Sequence, residues 1–157
     1  MSSTLRWRYG DTNPVTLPVD SATKIEIGDL IFLDTDDAKP ASLYDDEGTL
    51  ALNQEGLHDN FVGVAMQASA NGETKEIRIA TSGVFEMDCA TATFELGALI
   101  GGVETPEGTE LESQRVVAVA TPNLAIGRCA KRVNPAGTSV LVDIVSTVLK
   151  GGPQAMA

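Results

Sequence analysis

The sequence predicts a mainly β protein: a small β-barrel or β-tulip domain built from two repeated β units, with an extended N-terminal arm. Three observations predict it. From Lys24 to Leu149 the chain runs in short stretches rich in Ile, Val, Thr and Phe, broken by Gly, Asn and Asp about every ten residues. No segment carries the apolar stripe of a three-turn amphipathic helix. Finally, Ile25-Glu26-Ile27-Gly28-Asp29-Leu30-Ile31 returns as Phe94-Glu95-Leu96-Gly97-Ala98-Leu99-Ile100, with four identities and two further apolar matches in seven positions.

Residues 1–20 read as an extended arm, because Pro14, Pro18 and the turn-like Gly10-Asp11-Thr12-Asn13 interrupt any periodicity. A single domain follows over 21–150, with repeat units at about 24–88 and 93–149. In each unit the glycine turn reverses side-chain parity, Ile25 and Ile27 being odd and Leu30 and Phe32 even, as at a bulge or a barrel corner. A hairpin then follows in each unit. Phe61 to Ala70 and Glu73 to Ala80 flank Asn71-Gly72, which suits the two φ > 0 positions of a type I′ turn. Ala125 to Val133 and Thr138 to Val145 flank Asn134-Pro135-Ala136-Gly137. Val140, Val142 and Ile144 alternate with Leu141 and Val145, so that strand is central or covered. Gly63 aligns with Gly127, Gly72 with Gly137, Ile77 with Val142 and Ile79 with Ile144. Pairing two such units removes open sheet edges and completes a core. Residues 38–60 read as a long, acidic, exposed excursion, and 151–157 as a frayed tail.

The chain has 157 residues, enough for one core, and 11 Lys plus Arg against 22 Asp plus Glu, a net charge of -11. That balance disfavours nucleic-acid phosphates as a partner. No apolar run approaches the length of a membrane span, and no signal-peptide core opens the chain, so a soluble protein made in the cytoplasm is expected. Cys89 and Cys129 stand singly in apolar segments and read as buried thiols.

Chemical signatures are absent. His58 has no neighbouring acid or nucleophile and reads as an exposed loop residue. Asp34-Thr35-Asp36-Asp37 lacks the glycine and glutamate of a Ca²⁺ loop and reads as a solvated turn. Glu86 and Asp88 alternate with Phe85 and Met87, as on the wet face of a strand. No nucleophile elbow, phosphate-binding loop, dinucleotide turn or zinc pair occurs. The expectation is no enzyme, no metal and no cofactor. Leu5-Arg6-Trp7-Arg8-Tyr9 stands out instead, with two arginines on one side of an extended arm and three apolar residues on the other. Arg, Trp and Tyr are the types enriched at interface hot spots. Two readings are open: Trp7 packs on its own barrel, or the stripe lies on a partner while the arginines meet carboxylates.

The order of motifs resembles the decoration or cement proteins of tailed-phage heads, a group that also carries a predicted-recombinase label. Carrying the resemblance are Ile27-Gly28-Asp29-Leu30-Ile31, Phe61-Val62-Gly63-Val64-Ala65, Gly72-Glu73-Thr74, Ile77-Arg78-Ile79, Ser82-Gly83-Val84-Phe85-Glu86-Met87, Leu96-Gly97-Ala98-Leu99-Ile100, and Ala125-Ile126-Gly127-Arg128-Cys129-Ala130 ahead of Val140-Leu141-Val142. It covers about residues 20–149, and departs from the family where Ala98 replaces the usual polar residue after the second glycine turn. The resemblance implies a β-barrel or β-tulip homotrimer on the outer surface of the virion capsid. There it would bind junctions of the major capsid protein and brace the shell, with no nucleic acid or membrane as partner. The recombinase label finds no phosphate-binding loop here. A free-standing β-barrel that binds a small ligand or glycan is the alternative, and would need an aromatic and polar cluster in a concave site.

Overall fold

The computed structural model of the chain describes residues 3–151. Its strands are β1 (Trp7–Tyr9), β2 (Val15–Val19), β3 (Leu30–Asp34), β4 (Asp37–Pro40), β5 (Phe61–Ala65), β6 (Lys75–Ala80), β7 (Ser82–Phe94), β8 (Leu99–Glu104), β9 (Leu111–Ala118), β10 (Gly127–Cys129) and β11 (Val133–Val145), with one α-helix, α1 (Leu50–Asn60). The fold is mainly β, as the sequence predicts.

Two sheets share one plan. The first runs β2-β6-β5-β3-β4 and the second β7-β11-β10-β8-β9. The second closes into a five-stranded barrel because β7 also pairs with β9 in parallel, Asp88 opposite Arg115 and Cys89 opposite Val116. In the first, β2 and β4 lie side by side with no ladder between them among the described residues.

The repeat extends to individual hydrogen bonds. Asp29 N donates to Glu26 O and Ala98 N to Glu95 O, both at 3.1 Å, closing turns in which Gly28 and Gly97 take φ of 99° and 84°. Positive φ at the third position makes a type II turn, which glycine enters without strain. Gly28 N donates to Ala65 O (2.9 Å) as Gly97 N does to Cys129 O (2.8 Å); Ala65 N returns to Asp29 O (2.9 Å) as Cys129 N does to Ala98 O (2.8 Å). Met66 N reaches Arg78 O as Ala130 N reaches Leu141 O. Gly63 and Gly127 are thereby equivalent, as the sequence alignment has them. The second hairpin strand is not aligned as expected: Ile79 opposes Ala65 where Val142 opposes Cys129, so Ile79 matches Val142, two residues away from the sequence alignment. By pairing, the units run from β2 to β6 and from β7 to β11, each beginning one strand earlier than the glycine turn implies.

Each hairpin departs from its expected turn. Glu73 N donates to Ala70 O across Asn71-Gly72, but only Gly72 has positive φ (91°), and the ladder begins farther along, at Ala65 opposite Ile79. This is a turn inside a longer connection, not a two-residue type I′ loop. Asn134-Pro135-Ala136-Gly137 lies within β11, where long pairing with β7 (Val133 opposite Phe94, Gly137 opposite Ala92) absorbs the irregularity. β11 is central, between β7 and β10, although Val145 at its end is exposed.

The 38–60 segment is not an open loop. It contains β4, a short 3-10 turn over Ala41–Leu43, and α1. Thr49 caps α1 by accepting from Leu52 N. The helix escapes periodicity because its buried residues are Asn53, Gln54, Gly56 and Leu57. Gln54 Nε2 donates to Gly102 O at 2.7 Å, and Asn53 Nδ2 donates to Glu104 Oε2 at 2.8 Å and to Asp46 Oδ1 at 3.0 Å. Specific polar partners replace an apolar stripe, with Leu57 as the buried apolar anchor, worth about 2 kcal/mol. His58 is on this helix rather than in a loop; its side chain is 12% exposed and Nδ1 lies 2.6 Å from Ala125 O.

One apolar cluster joins Phe85, Met87, Ile100 and Val142 of the barrel to Leu57 and to Leu30, Phe32 and Val64. A second, with Ile25, Ile31, Val62, Ile77 and Ile79, fills the other side of the first sheet. Neighbours Leu30 and Ile31 enter different clusters, as the two-residue period of a strand requires. Cys89 and Cys129 are buried free thiols. A single residue, Thr81, joins the units between β6 and β7. It is 1% exposed; its N donates to Thr12 O, its O accepts from Ser146 N, and its Oγ1 donates to Asn13 O at 2.8 Å.

The N-terminal segment is extended but stitched into the fold. β2 is a strand of the first sheet and β1 an added strand on the second, so the boundary at residue 20 falls after β2 rather than before it. Tail residues 152–157 lie outside the described residues.

Candidate functional site

The five residues singled out from the sequence, Leu5 to Tyr9, come together along one edge of the barrel. Trp7 lies opposite Phe85 and Tyr9 opposite Val84, and Arg6 O accepts from Glu86 N at 2.8 Å. The free edge of β7 is thus divided: β1 takes residues 84 and 85, β9 takes 88 and 89.

The register shifts between Trp7 and Tyr9, and the side chains differ in their partners. Arg6, 12% exposed, lies against the barrel wall. Its Nη2 donates to Asp88 Oδ2 (3.1 Å), its Nη1 to Glu86 O (3.2 Å), and its Nε and Nη2 to Gln114 Oε1 (3.2 and 2.9 Å). Gln114, wholly buried, passes the chain on through Nε2 to Asp29 Oδ1 at 2.8 Å, and Asp29 Oδ2 accepts from Glu26 N at 2.9 Å. Arg8 Nε donates to Glu86 Oε1 (2.9 Å), whose other oxygen accepts from Ser139 Oγ (2.9 Å). The carboxylates expected on a partner are therefore the chain's own.

The environments of these acids differ. Burial pushes the Asp29 carboxyl above its ordinary value, against the hydrogen bonds from Glu26 N and Gln114. The Ser139 hydroxyl and then Arg8 hold Glu86 below the usual carboxylate value. Arg8 and Glu86 are both well exposed, so their pair contributes about 0–1 kcal/mol.

With Arg6 turned in and Arg8 paired to Glu86 at the surface, Leu5, Trp7 and Tyr9 remain 52%, 39% and 52% exposed. Trp7 Nε1 is satisfied locally by Gly10 O at 2.9 Å, so the exposed ring carries no unmet donor. The stripe presents apolar surface on an otherwise acidic protein.

Of the predicted turn residues, Gly28 and Gly97 close the equivalent turns, Asn71 and Gly72 form the outer turn of the first hairpin, and Gly137 sits inside β11. Asp29, Asp88 and Gln114 as arm partners were not legible; the one signal was the Asp29/Ala98 mismatch between repeats. Glu86 and Asp88 do lie on the wet side of β7. Among the described residues, no group of three or more His, Cys, Asp or Glu is placed to hold a metal ion. A cleft of about 310 Å³ brings Phe32, Lys39, Leu43, Tyr44, Glu47 and Asn60 together. Phe32 is buried and meets Tyr44 edge to face at 5.3 Å, while the Tyr44 hydroxyl donates to Glu47.

No family model matches the chain, and no curated protein matches it. One solved structure is similar. It is the crystal structure of the head fibre gp8.5 N base in bacteriophage phi29, with a TM-score of 0.45 and 11% identity, covering 83% of this chain and 93% of that one.

Proposed function

We propose that this chain is a structural protein of a phage virion, a decoration protein that binds the outer surface of the capsid where major capsid proteins meet and braces the shell. The observation that carries the reading is the N-terminal strand, which pairs Arg6 and Arg8 with acids of its own barrel and leaves Leu5, Trp7 and Tyr9 exposed as an ordered apolar stripe. A stripe already ordered before contact binds without the conformational cost of a loose arm. The ordered glycine and β motifs of the decoration family support the reading, as does the acidic remainder of the surface, which keeps unbound copies apart. Assembly as a homotrimer belongs to the same proposal, since linked copies multiply weak contacts.

The test is co-sedimentation with undecorated expanded capsids. Wild-type protein is expected to pellet with them, and a variant with Leu5→Ser, Trp7→Ser and Tyr9→Ser to remain folded and stay in the supernatant. Wild-type protein left in the supernatant while an established cement protein pellets overturns the function. Undiminished binding of the triple variant overturns the role of the stripe. Sedimentation velocity of the free protein checks the trimer.

A further inference from the structure

The barrel and the first sheet share one strand plan, yet among the described residues only the barrel is closed by a ladder. Two residue pairs between β7 and β9 make that closure, Asp88 with Arg115 and Cys89 with Val116. Two parallel pairs are a short seam, and the open β2/β4 edge shows that the repeated plan does not impose one. What the second unit has in addition is the N-terminal strand.

Arg6 sits across this seam. One guanidinium bonds Asp88 and the Glu86 carbonyl on β7 and Gln114 on β9. Arginine's planar fork suits such bridging, whereas a lysine ammonium offers one point charge. The other unit is shaped to receive it. A Cβ on Gly28 would lie 2.7 Å from Thr4 O and 3.1 Å from Arg6 Cδ, while one on the equivalent Gly97 would meet nothing within 4 Å. Asp29, buried, anchors Gln114; its counterpart in the repeat is Ala98. Two places where the repeat is chemically unequal, the surroundings of its glycine turn and the residue after it, are both places where the arm is held.

We propose that the N-terminal strand is a strap that holds the barrel closed, with Arg6 as its buckle. Release of the strap opens the β7/β9 seam and leaves the first sheet intact. Displacement of Leu5, Trp7 or Tyr9 at the surface is thereby coupled to the barrel interior. The inference rests on the hydrogen bonds of Arg6 and is independent of what the stripe binds.

The two buried thiols report on it. Cys89 is in the seam, and Cys129 is on β10, away from it. In full-length single-thiol variants (Cys129→Ala to follow Cys89, Cys89→Ala to follow Cys129), labelling by an aromatic disulfide reagent is measured under native conditions. Arg6→Ala is expected to speed labelling of Cys89 at least tenfold and that of Cys129 less than twofold. Arg6→Lys is expected to fall between wild type and Arg6→Ala. Equal acceleration of both thiols means general destabilisation and overturns the proposal, as does no change at Cys89; a wild-type rate for Arg6→Lys overturns the bridging role of the fork. Should Arg6→Ala fail to fold, Asp88→Asn at the exposed end of the network is expected to give a smaller acceleration confined to Cys89, and its absence is equally fatal.

Discussion

Gly63 lies directly against the Ala80 carbonyl: a Cβ on Gly63 would stand 1.6 Å from that oxygen. Its counterpart Gly127 faces Asp143 O, where a Cβ would stand at 2.4 Å. Both glycines let the two strands of a hairpin approach at the same point of each unit. The obstacle is backbone, so no rotamer change relieves it. Gly63→Ala and Gly127→Ala are each expected to cost about 4 kcal/mol or more. Gly72→Ala, at an open turn with positive φ, is expected to cost about 1–2 kcal/mol. Urea unfolding of the three variants checks the order.

The two glycine turns give a second comparison. Gly97→Ala meets open space and carries only the strain of a left-handed residue, about 1–2 kcal/mol. Gly28→Ala carries the same strain and also drives against Thr4 O and Arg6. It is expected to be the more costly by about 1 kcal/mol, and the difference is expected to vanish when residues 1–9 are deleted. A gap that survives the deletion would place its cause elsewhere than in the arm.

The acids of the network pull stability in opposite directions with pH. Burial raises Asp29 above 3.8, so its contribution is greatest below the unfolded value and is lost as pH rises through the folded one. Glu86 is held below 4.5 by Ser139 and Arg8; its contribution is present above the unfolded value and lost as pH falls through the folded one. Unfolding free energies from about pH 3 to about pH 7 for wild type, Asp29→Asn and Glu86→Gln separate the two. The wild-type advantage over Asp29→Asn is expected to shrink with rising pH, and that over Glu86→Gln to grow. A flat difference for Asp29 would mean that its charge is not what burial penalises.

Helix α1 depends on its polar side chains. Gln54→Leu leaves the buried Gly102 carbonyl without its 2.7 Å partner, an expected loss of about 1–3 kcal/mol. Thr49→Ala removes the cap, about 1 kcal/mol. Leu52→Ala, at a residue 44% exposed, is expected within about 0.5 kcal/mol of wild type. Thermal melts that rank Leu52→Ala as the most damaging would refute this account of the helix.

The same contrast explains which parts of the fold were legible in the sequence. The strands and both glycine turns repeat, and they are built from residues whose local preference agrees with the final structure. Helix α1 was hidden because Asn53 and Gln54 occupy positions where a periodic pattern calls for apolar residues. The hairpin alignment slipped by two because strand alternation has period two, so Ile77 and Ile79 fit equally well in either register. Asn134-Pro135-Ala136-Gly137 signalled a turn locally, and pairing with a 13-residue β7 overrode it. The arm's exposed stripe could be read from alternation alone. Its docking could not, because Arg6 and Gln114 are 108 positions apart and neither belongs to a pattern that names the other.

Thr81 carries a mechanical consequence. The chain passes from one unit to the other through this one residue, and segments from opposite ends of the chain, Thr12 and Asn13 on one side and Ser146 on the other, grip it by hydrogen bonds. Tension applied between those segments is delivered to the joint between the halves before it reaches the interior of either. A pull there loads the hydrogen bonds of Thr81 first.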